Sequence, residues 1–141
     1  MGVSAATIGD TEAVIALWQN CELTRPWNDP VADFQAAIAN PASDILLLTE
    51  AGTLIATIMV GYDGHRGWVY YLAVHPDHRR KGLGKRMMEA AEAWLRERGA
   101  PKIQLMVRSA NADVIAFYEA LGLERQDVVT LGHRLDGESG G

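Results

Sequence analysis

The chain has 141 residues, 48% of them hydrophobic and 22% charged, which fits one globular domain able to bury roughly 70% of its unfolded surface. The net charge of −5 excludes, for the chain as a whole, the polyanion binding of nucleic-acid proteins. The single cysteine, Cys21, excludes an internal disulfide framework and a multi-cysteine metal site. No apolar run approaches the ~18 residues of a membrane span, so the chain is expected in the cytoplasm, off the membrane.

The predicted elements follow in order. Residues 3–8 read as a short strand. Asp10 or Thr11 then caps a helix through residue 23, with Ala13, Val14, Leu17, Trp18 and Cys21 at helical spacing. Residues 25–30 (RPWNDP) break it, and Asp29 as N-cap with Pro30 at the first helical position starts a second helix to about residue 39. Residues 45–50 and 54–62 form a hairpin around Ala51-Gly52-Thr53, and residues 68–74 (WVYYLAV) are the third strand of that meander. Residues 82–99 carry one apolar stripe and make the strongest helix. A strand over 102–107, a helix over 111–121 and two last strands over 123–128 and 129–135 complete the chain. The expected class is α/β (α+β), ordered β-α-α-β-β-β-α-β-α-β-β. Its sheet is mixed and mostly antiparallel, with a central parallel crossover. The whole chain, 1–141, reads as a single domain with a frayed tail at 137–141.

The net charge hides an asymmetry. Residues 1–63 carry one base, Arg25, against eight acids; residues 64–141 carry twelve bases against ten acids. Five of those bases lie between Arg79 and Arg86 with no acid among them. Such polarity suits an anion at one place and a cation at another; solvated surface charge is the plainer account.

The most informative stretch is residues 68–86, WVYYLAVHPDHRRKGLGKR. A strand runs into a loop with Gly82 and Gly84 and then directly into the long helix. Glycines let backbone approach a ligand closely, and the first N–H groups of a helix have no internal partner. With Arg79, Arg80, Lys81, Lys85 and Arg86 around them, they read as a phosphate cradle; a generic helix N-terminus with no ligand is the alternative. The spacing fits neither common nucleotide motif: Arg86 stands where a P-loop needs a hydroxyl, and Met87 where the dinucleotide fingerprint needs Gly or Ala.

Arg79-x-x-Gly82-x-Gly84, directly after Leu72-Ala73-Val74-His75-Pro76, resembles the acetyl-CoA motif of the GCN5-related N-acetyltransferases (GNAT). The segment NADVIAFYEALGL, with Asn111 seven residues before Tyr118, resembles that family's second motif, and the element order agrees over nearly the whole chain. LTRPWNDP (23–30) and GYDGHRG (61–67) are similar to a small bacterial YpeA-like subgroup.

The resemblance implies acetyl-CoA as co-substrate and no metal. It implies that backbone N–H groups of Arg80, Lys81, Gly82, Leu83, Gly84 and Lys85 bind the pyrophosphate, with Arg79 opening the motif. The backbone of Leu72, Ala73 and Val74 pairs with the pantetheine arm where the sheet splays, and one N–H there polarises the thioester carbonyl. Asn111 contacts CoA, and Tyr118 protonates the departing thiolate. A core-facing aromatic beside Phe117 is the alternative for Tyr118. Direct attack by an amine needs no cysteine nucleophile, so Cys21 reads as a small hydrophobe.

The general base is open. Relatives that acetylate ribosomal-protein N-termini carry a glutamate where this chain has Met106. Asp63 and His65 in the turn before the third meander strand, Glu22, or a water chain are the substitutes. The family's acceptor region implies Arg25, Trp27, Asn28 and Asp29 as lining, or a Trp packed over the helix junction with Asp29 only capping. His75-x-x-His78 reads as a polar loop rather than a metal site.

The leading reading is therefore transfer of acetyl from acetyl-CoA to a primary amine of a small molecule or peptide. The rival is a non-catalytic acyl-CoA sensor. A nucleic-acid binder using residues 79–86 is a third reading, opposed by the acidic remainder. The last strands are a common dimer surface in the family, so a homodimer is one form open to the chain, which its residues do not decide.

Overall fold

The computed structural model describes residues 2–137, so most of the tail read at 137–141 lies outside the described residues. These divide into two compact units, one up to Leu105 and one from Met106.

The first unit holds a five-stranded sheet in the order β1-β2-β3-β4-β5. Strand β1 (Val3–Ala5) leads through a short 3-10 turn (Ile8–Asp10) into helix α1 (Thr11–Asn20). Asp10 stands at the cap of α1, but its carboxylate reaches back to the Thr7 N–H at 2.8 Å and closes the preceding turn instead. Helix α2 (Pro30–Ala39) starts as its sequence prescribes, with the Asp29 carboxylate accepting from the Ala32 N–H at 3.1 Å and Pro30 in the first turn.

Strands β2 (Ser43–Glu50) and β3 (Thr53–Tyr62) pair antiparallel across Ala51-Gly52, both with positive φ. That is the signature of the type I′ turn, which matches strand twist. Strand β4 (Gly67–Val74) pairs antiparallel with β3. Helix α3 (Leu83–Glu97) then crosses over to β5 (Ile103–Gln104), which pairs parallel with β4. The mixed sheet with one parallel crossover is as the sequence predicts.

Alternate strand residues fill two cores. On one face Ile45, Leu47 and Ala73 pack with Val14, Leu17 and Trp18 of α1 and Phe34 and Ala37 of α2. Helix α3 packs against β2, β3 and β4, burying Leu83, Met87, Met88, Ala91, Trp94 and Leu95. Gly67 permits this approach: a Cβ there would lie 2.5 Å from Leu95 Cδ1.

The second unit contains helix α4 (Ala112–Ala120), capped by the Asn111 side chain, which accepts from the Val114 N–H at 3.4 Å. Two expectations fail near here. The strand read over 102–107 is only the two residues of β5, and residues 123–135 form no strand among the described residues. Val128, Val129, Leu131 and Leu135 are 75–93% exposed. Their β propensity lacks a partner ladder, and propensity without a neighbouring strand does not make one. No helix of the described residues is long and apolar enough to cross a membrane.

Candidate functional site

The loop between β4 and α3 has the geometry its glycines foretell. Arg80 (φ 66°) and Gly82 (φ 73°) are both left-handed, and Gly82 is the N-cap of α3. These two left-handed residues turn the backbone sharply just before the positive end of a fifteen-residue helix, whose first N–H groups have no partner within the helix. Gly82 has open space where a Cβ would sit, so its requirement is the backbone angle rather than room.

Arg79, Arg80, Lys81 and Lys85 are exposed, while Leu83 is buried and anchors the first turn. Lys81 Nζ lies 3.3 Å from His78 Nδ1, and His78 faces Glu50 at 3.5 Å, which ties the loop to the end of β2. His75 Nδ1 accepts from the Asp77 N–H at 3.1 Å. Among the described residues no group of three or more His, Cys, Asp or Glu converges on a point where a metal ion would sit.

The strand that feeds the loop is paired on one edge only at its start, among the described residues. Strand β4 pairs with β5 only at Gly67–Ile103 and Trp68–Gln104, so from Val69 to Val74 that edge has no strand among the described residues. An open edge takes an extended arm by main-chain pairing. The edge is also bulged. Thr57 pairs with Ala73 and Met59 with Tyr70, which leaves Ile58 facing both Tyr71 and Leu72. Tyr71 has φ 51°, a left-handed angle that costs a bulky residue ~1–3 kcal/mol. At the end of the strand the Val74 carbonyl already accepts from Cys21 Sγ at 3.3 Å and Arg79 Nε at 3.4 Å. Cys21 is thus half-buried beside the strand, as a weak donor.

The residues that the resemblance implies for the acceptor lie in the segment between α1 and α2. Arg25 donates to the carbonyls of Glu22 and Thr24 at 2.8 and 2.9 Å, closing the end of α1. Asn28 N–H donates to the Arg25 carbonyl at 3.1 Å, and Trp27 is half-buried. Asp29 is the α2 cap described above. All four lie in one connecting segment, Arg25, Asn28 and Asp29 holding it in shape.

Asp63 organises its own turn. One carboxylate oxygen accepts from the N–H groups of His65 and Arg66, both at 2.7 Å, and the other from Trp68 Nε1 at 3.2 Å. These donors, the backbone N–H groups first, hold its pKa below the ordinary carboxylate value. A carboxylate so stabilised is a weaker proton acceptor. His65 is exposed on the same turn.

In the second unit Tyr118 is partly buried on α4, its ring edge-on to Phe117 at 5.0 Å. Burial pushes its phenol up to about 12, so it stays protonated as a proton donor must. Asn111 spends its side-chain oxygen on the cap. Met106 is 52% exposed, its sulfur 3.8 Å from the Thr130 hydroxyl.

Sequence reasoning missed Asp33. Its carboxylate accepts from the Tyr71 hydroxyl at 2.9 Å. The only local signal was an acid in the first turn of α2, which is ordinary helix chemistry.

Known proteins match this arrangement. The model of the acetyltransferase (GNAT) family matches residues 12–123, which spans parts of both units. A protein named acetyltransferase from Pectobacterium atrosepticum is 49% identical over 127 residues, 89% of each chain. One from Sodalis glossinidius is 50% identical over 128 residues, again 89% of each. Among solved structures, the ribosomal-protein-S18-alanine N-acetyltransferase of Escherichia coli is 28% identical, with TM-score 0.74 over 86% of this chain and 76% of that one. The aminoglycoside 6′-N-acetyltransferase AAC(6′)-IG of Acinetobacter haemolyticus shares the fold, with TM-score 0.78 at 18% identity over 96% and 100%. The chain belongs to the acetyltransferase (GNAT) family and is an N-acetyltransferase of the acetyl-CoA-dependent kind.

Proposed function

We propose that the whole chain works as one cytoplasmic domain that moves the acetyl group of acetyl-CoA to a primary amine of a small molecule or peptide. The observation that carries this reading is the continuous run from an open, bulged strand edge to a left-handed loop capping α3. The N–H groups of Arg80, Lys81, Gly82, Leu83, Gly84 and Lys85 receive the pyrophosphate, with the exposed bases around it. The pantetheine arm lies along Leu72, Ala73 and Val74, chiefly on the first two, since the Val74 carbonyl already accepts two donors. Asn111 holds CoA through groups other than its capping oxygen.

The neutral amine attacks the thioester carbonyl. A nitrogen–carbon bond forms, negative charge moves to the carbonyl oxygen, and a β4 N–H stabilises it. Collapse breaks the carbon–sulfur bond. The thiolate takes the Tyr118 proton, the proton lost by nitrogen leaves through water with His65 or Asp63 as relay, and solvent returns a proton to the Tyr118 phenolate. The products are the N-acetylated amine and CoA thiol.

The acceptor's own pKa sets how much base this needs. An α-amino group near ~7.7–8.0 is partly neutral at pH 7, whereas a lysine-like amine near ~10.4 is not. Arg25, Trp27, Asn28 and Asp29 line the acceptor's approach. The relatives named for S18 alanine and for aminoglycosides mark the two acceptor classes to try first.

The test is amine-dependent release of CoA thiol from acetyl-CoA over a panel of peptide N-termini, amino acids, polyamines and aminoglycosides. Release that tracks an added amine supports transfer. Tight acetyl-CoA binding with no release on any amine supports the sensor instead.

A further inference from the structure

The left-handed Tyr71 is fixed from three elements at once. Its ring stacks on Trp18 of α1 at 3.8 Å and 10°. Its carbonyl accepts from the Thr57 hydroxyl of β3 at 3.1 Å, and that hydroxyl oxygen accepts from Trp18 Nε1 at 3.0 Å. Its own hydroxyl donates to Asp33 of α2 at 2.9 Å. Trp18 and Thr57 are fully buried, so these partners have no water to exchange with. Trp18 is itself held edge-on by Phe34, the residue after Asp33. The directions form one chain: indole N–H to hydroxyl, hydroxyl to the Tyr71 carbonyl, and Tyr71 phenol to carboxylate.

A bulky residue keeps a left-handed angle only where its surroundings over-determine it. Here the angle creates the bulge, and the bulge sets the direction in which the edge from Leu72 to Val74 runs on to the loop. The stack and the Thr57 bond fix the ring plane and the carbonyl. The Asp33 bond alone fixes the far end of the side chain.

We propose that Asp33 is a positioning residue which, through the Tyr71 hydroxyl, holds the β4 bulge in the register that acetyl transfer requires. The part concerning transfer rests on the function proposed above; the part concerning the bulge does not. Asp33 touches no reacting atom and acts by restricting backbone.

The experiment uses the full chain as Asp33→Ala, Asp33→Asn, Tyr71→Phe and the Asp33→Ala/Tyr71→Phe double variant. The first readout needs no acceptor. The His75 N–H bonds the Ile55 carbonyl at 2.8 Å just past the bulge, and its exchange with solvent deuterium reports on that segment. Asp33→Ala and Tyr71→Phe each speed it by about 10-fold, while exchange at Met87 and Met88 in α3 stays unchanged. Asp33→Asn, which keeps an acceptor oxygen, stays near wild type. The second readout is turnover with the best amine of the panel. Asp33→Ala lowers kcat about 10-fold with KM for acetyl-CoA within about twofold, and the double variant is no worse than either single one. Unchanged His75 exchange, acceleration shared equally by α3, additive losses, or failure of Asp33→Asn to rescue would each overturn the proposal. Should the wild type bind acetyl-CoA and acetylate no amine, the transfer reading fails and the exchange comparison still decides whether Asp33 holds the bulge.

Discussion

The loop before α3 takes its shape chiefly from its own neighbours, with one tie from His78 to Glu50, whereas the β4 bulge takes its shape from afar. Arg80 and Gly82 turn left-handed within three residues, and the loop's bonds from Lys81 to His78 and from Arg79 to Val74 span three and five positions. Tyr71 turns left-handed because of groups 14 and 38 positions away, and the Trp18–Thr57 bond behind it spans 39. The first region presents backbone donors and needs only the right angles. The second is set by a polar chain, buried at Trp18 and Thr57 and half-buried at Tyr71 and Asp33, in which every member depends on the next. Substitutions in the loop should therefore act on ligand affinity with little change in folding. Substitutions around the bulge should act on folding or on turnover.

The largest effect expected is at Trp18, which joins both halves of the bulge's support. Trp18→Ala removes a fully buried aromatic, its stack and its hydrogen bond, and is expected to cost ~3–5 kcal/mol in urea unfolding. A loss below ~1 kcal/mol would break the contrast, since the bulge would then not depend on distant packing.

Next comes Tyr118→Phe, outside both regions. If the phenol donates the proton, kcat falls about 100-fold with KM for acetyl-CoA nearly unchanged, a barrier increase of ~2.7 kcal/mol. Because burial pushes this phenol up to about 12, its donor form persists through alkaline pH. The rate profile should therefore show no descending limb from Tyr118 below that range. Unchanged turnover in the variant would remove Tyr118 from the chemistry.

Gly82→Val comes third. The left-handed angle is expected to cost ~1–2 kcal/mol, with no clash to add. Acetyl-CoA affinity by calorimetry should drop about 10-fold or more as the N–H groups turn away. Equal affinity would mean that the loop does not cradle phosphate.

The smallest effect concerns Asp63, whose support is as local as the loop's. Its folded pKa lies below its unfolded value of 3.8, so its contribution to stability is present above that value and is lost as pH falls through the folded one. Unfolding of wild type and Asp63→Asn, followed from about pH 6 downward, should differ at the start and converge in acid. Divergence in acid would contradict the assignment of Asp63 as a turn carboxylate.

The same contrast explains what could be read from the chain alone. Pro30 after Asp29, the break at Ala51-Gly52 and the Gly82/Gly84 loop are signals carried by adjacent residues, and each produced the element it announces. The parallel crossover followed from a strand, a long amphipathic helix and a strand. The bulge did not, because WVYYLAV reads as an unbroken strand and nothing beside Tyr71 announces its left-handed angle. Asp33 stayed hidden for the same reason: its partner is 38 residues away. The strands expected over 123–128 and 129–135 do not form among the described residues, where Val128, Val129 and Leu131 are exposed. Asp63 was legible as a carboxylate near the site, but its three donors, which make it a poorer base, were not.

The central claim is tested most directly by acetyl-CoA turnover on the wild-type chain, with CoA thiol measured against time for each amine of the panel. At least one primary amine should accelerate thiol release and be recovered carrying the acetyl group. Acetyl-CoA that binds yet releases thiol at the same rate with and without every amine would contradict the account.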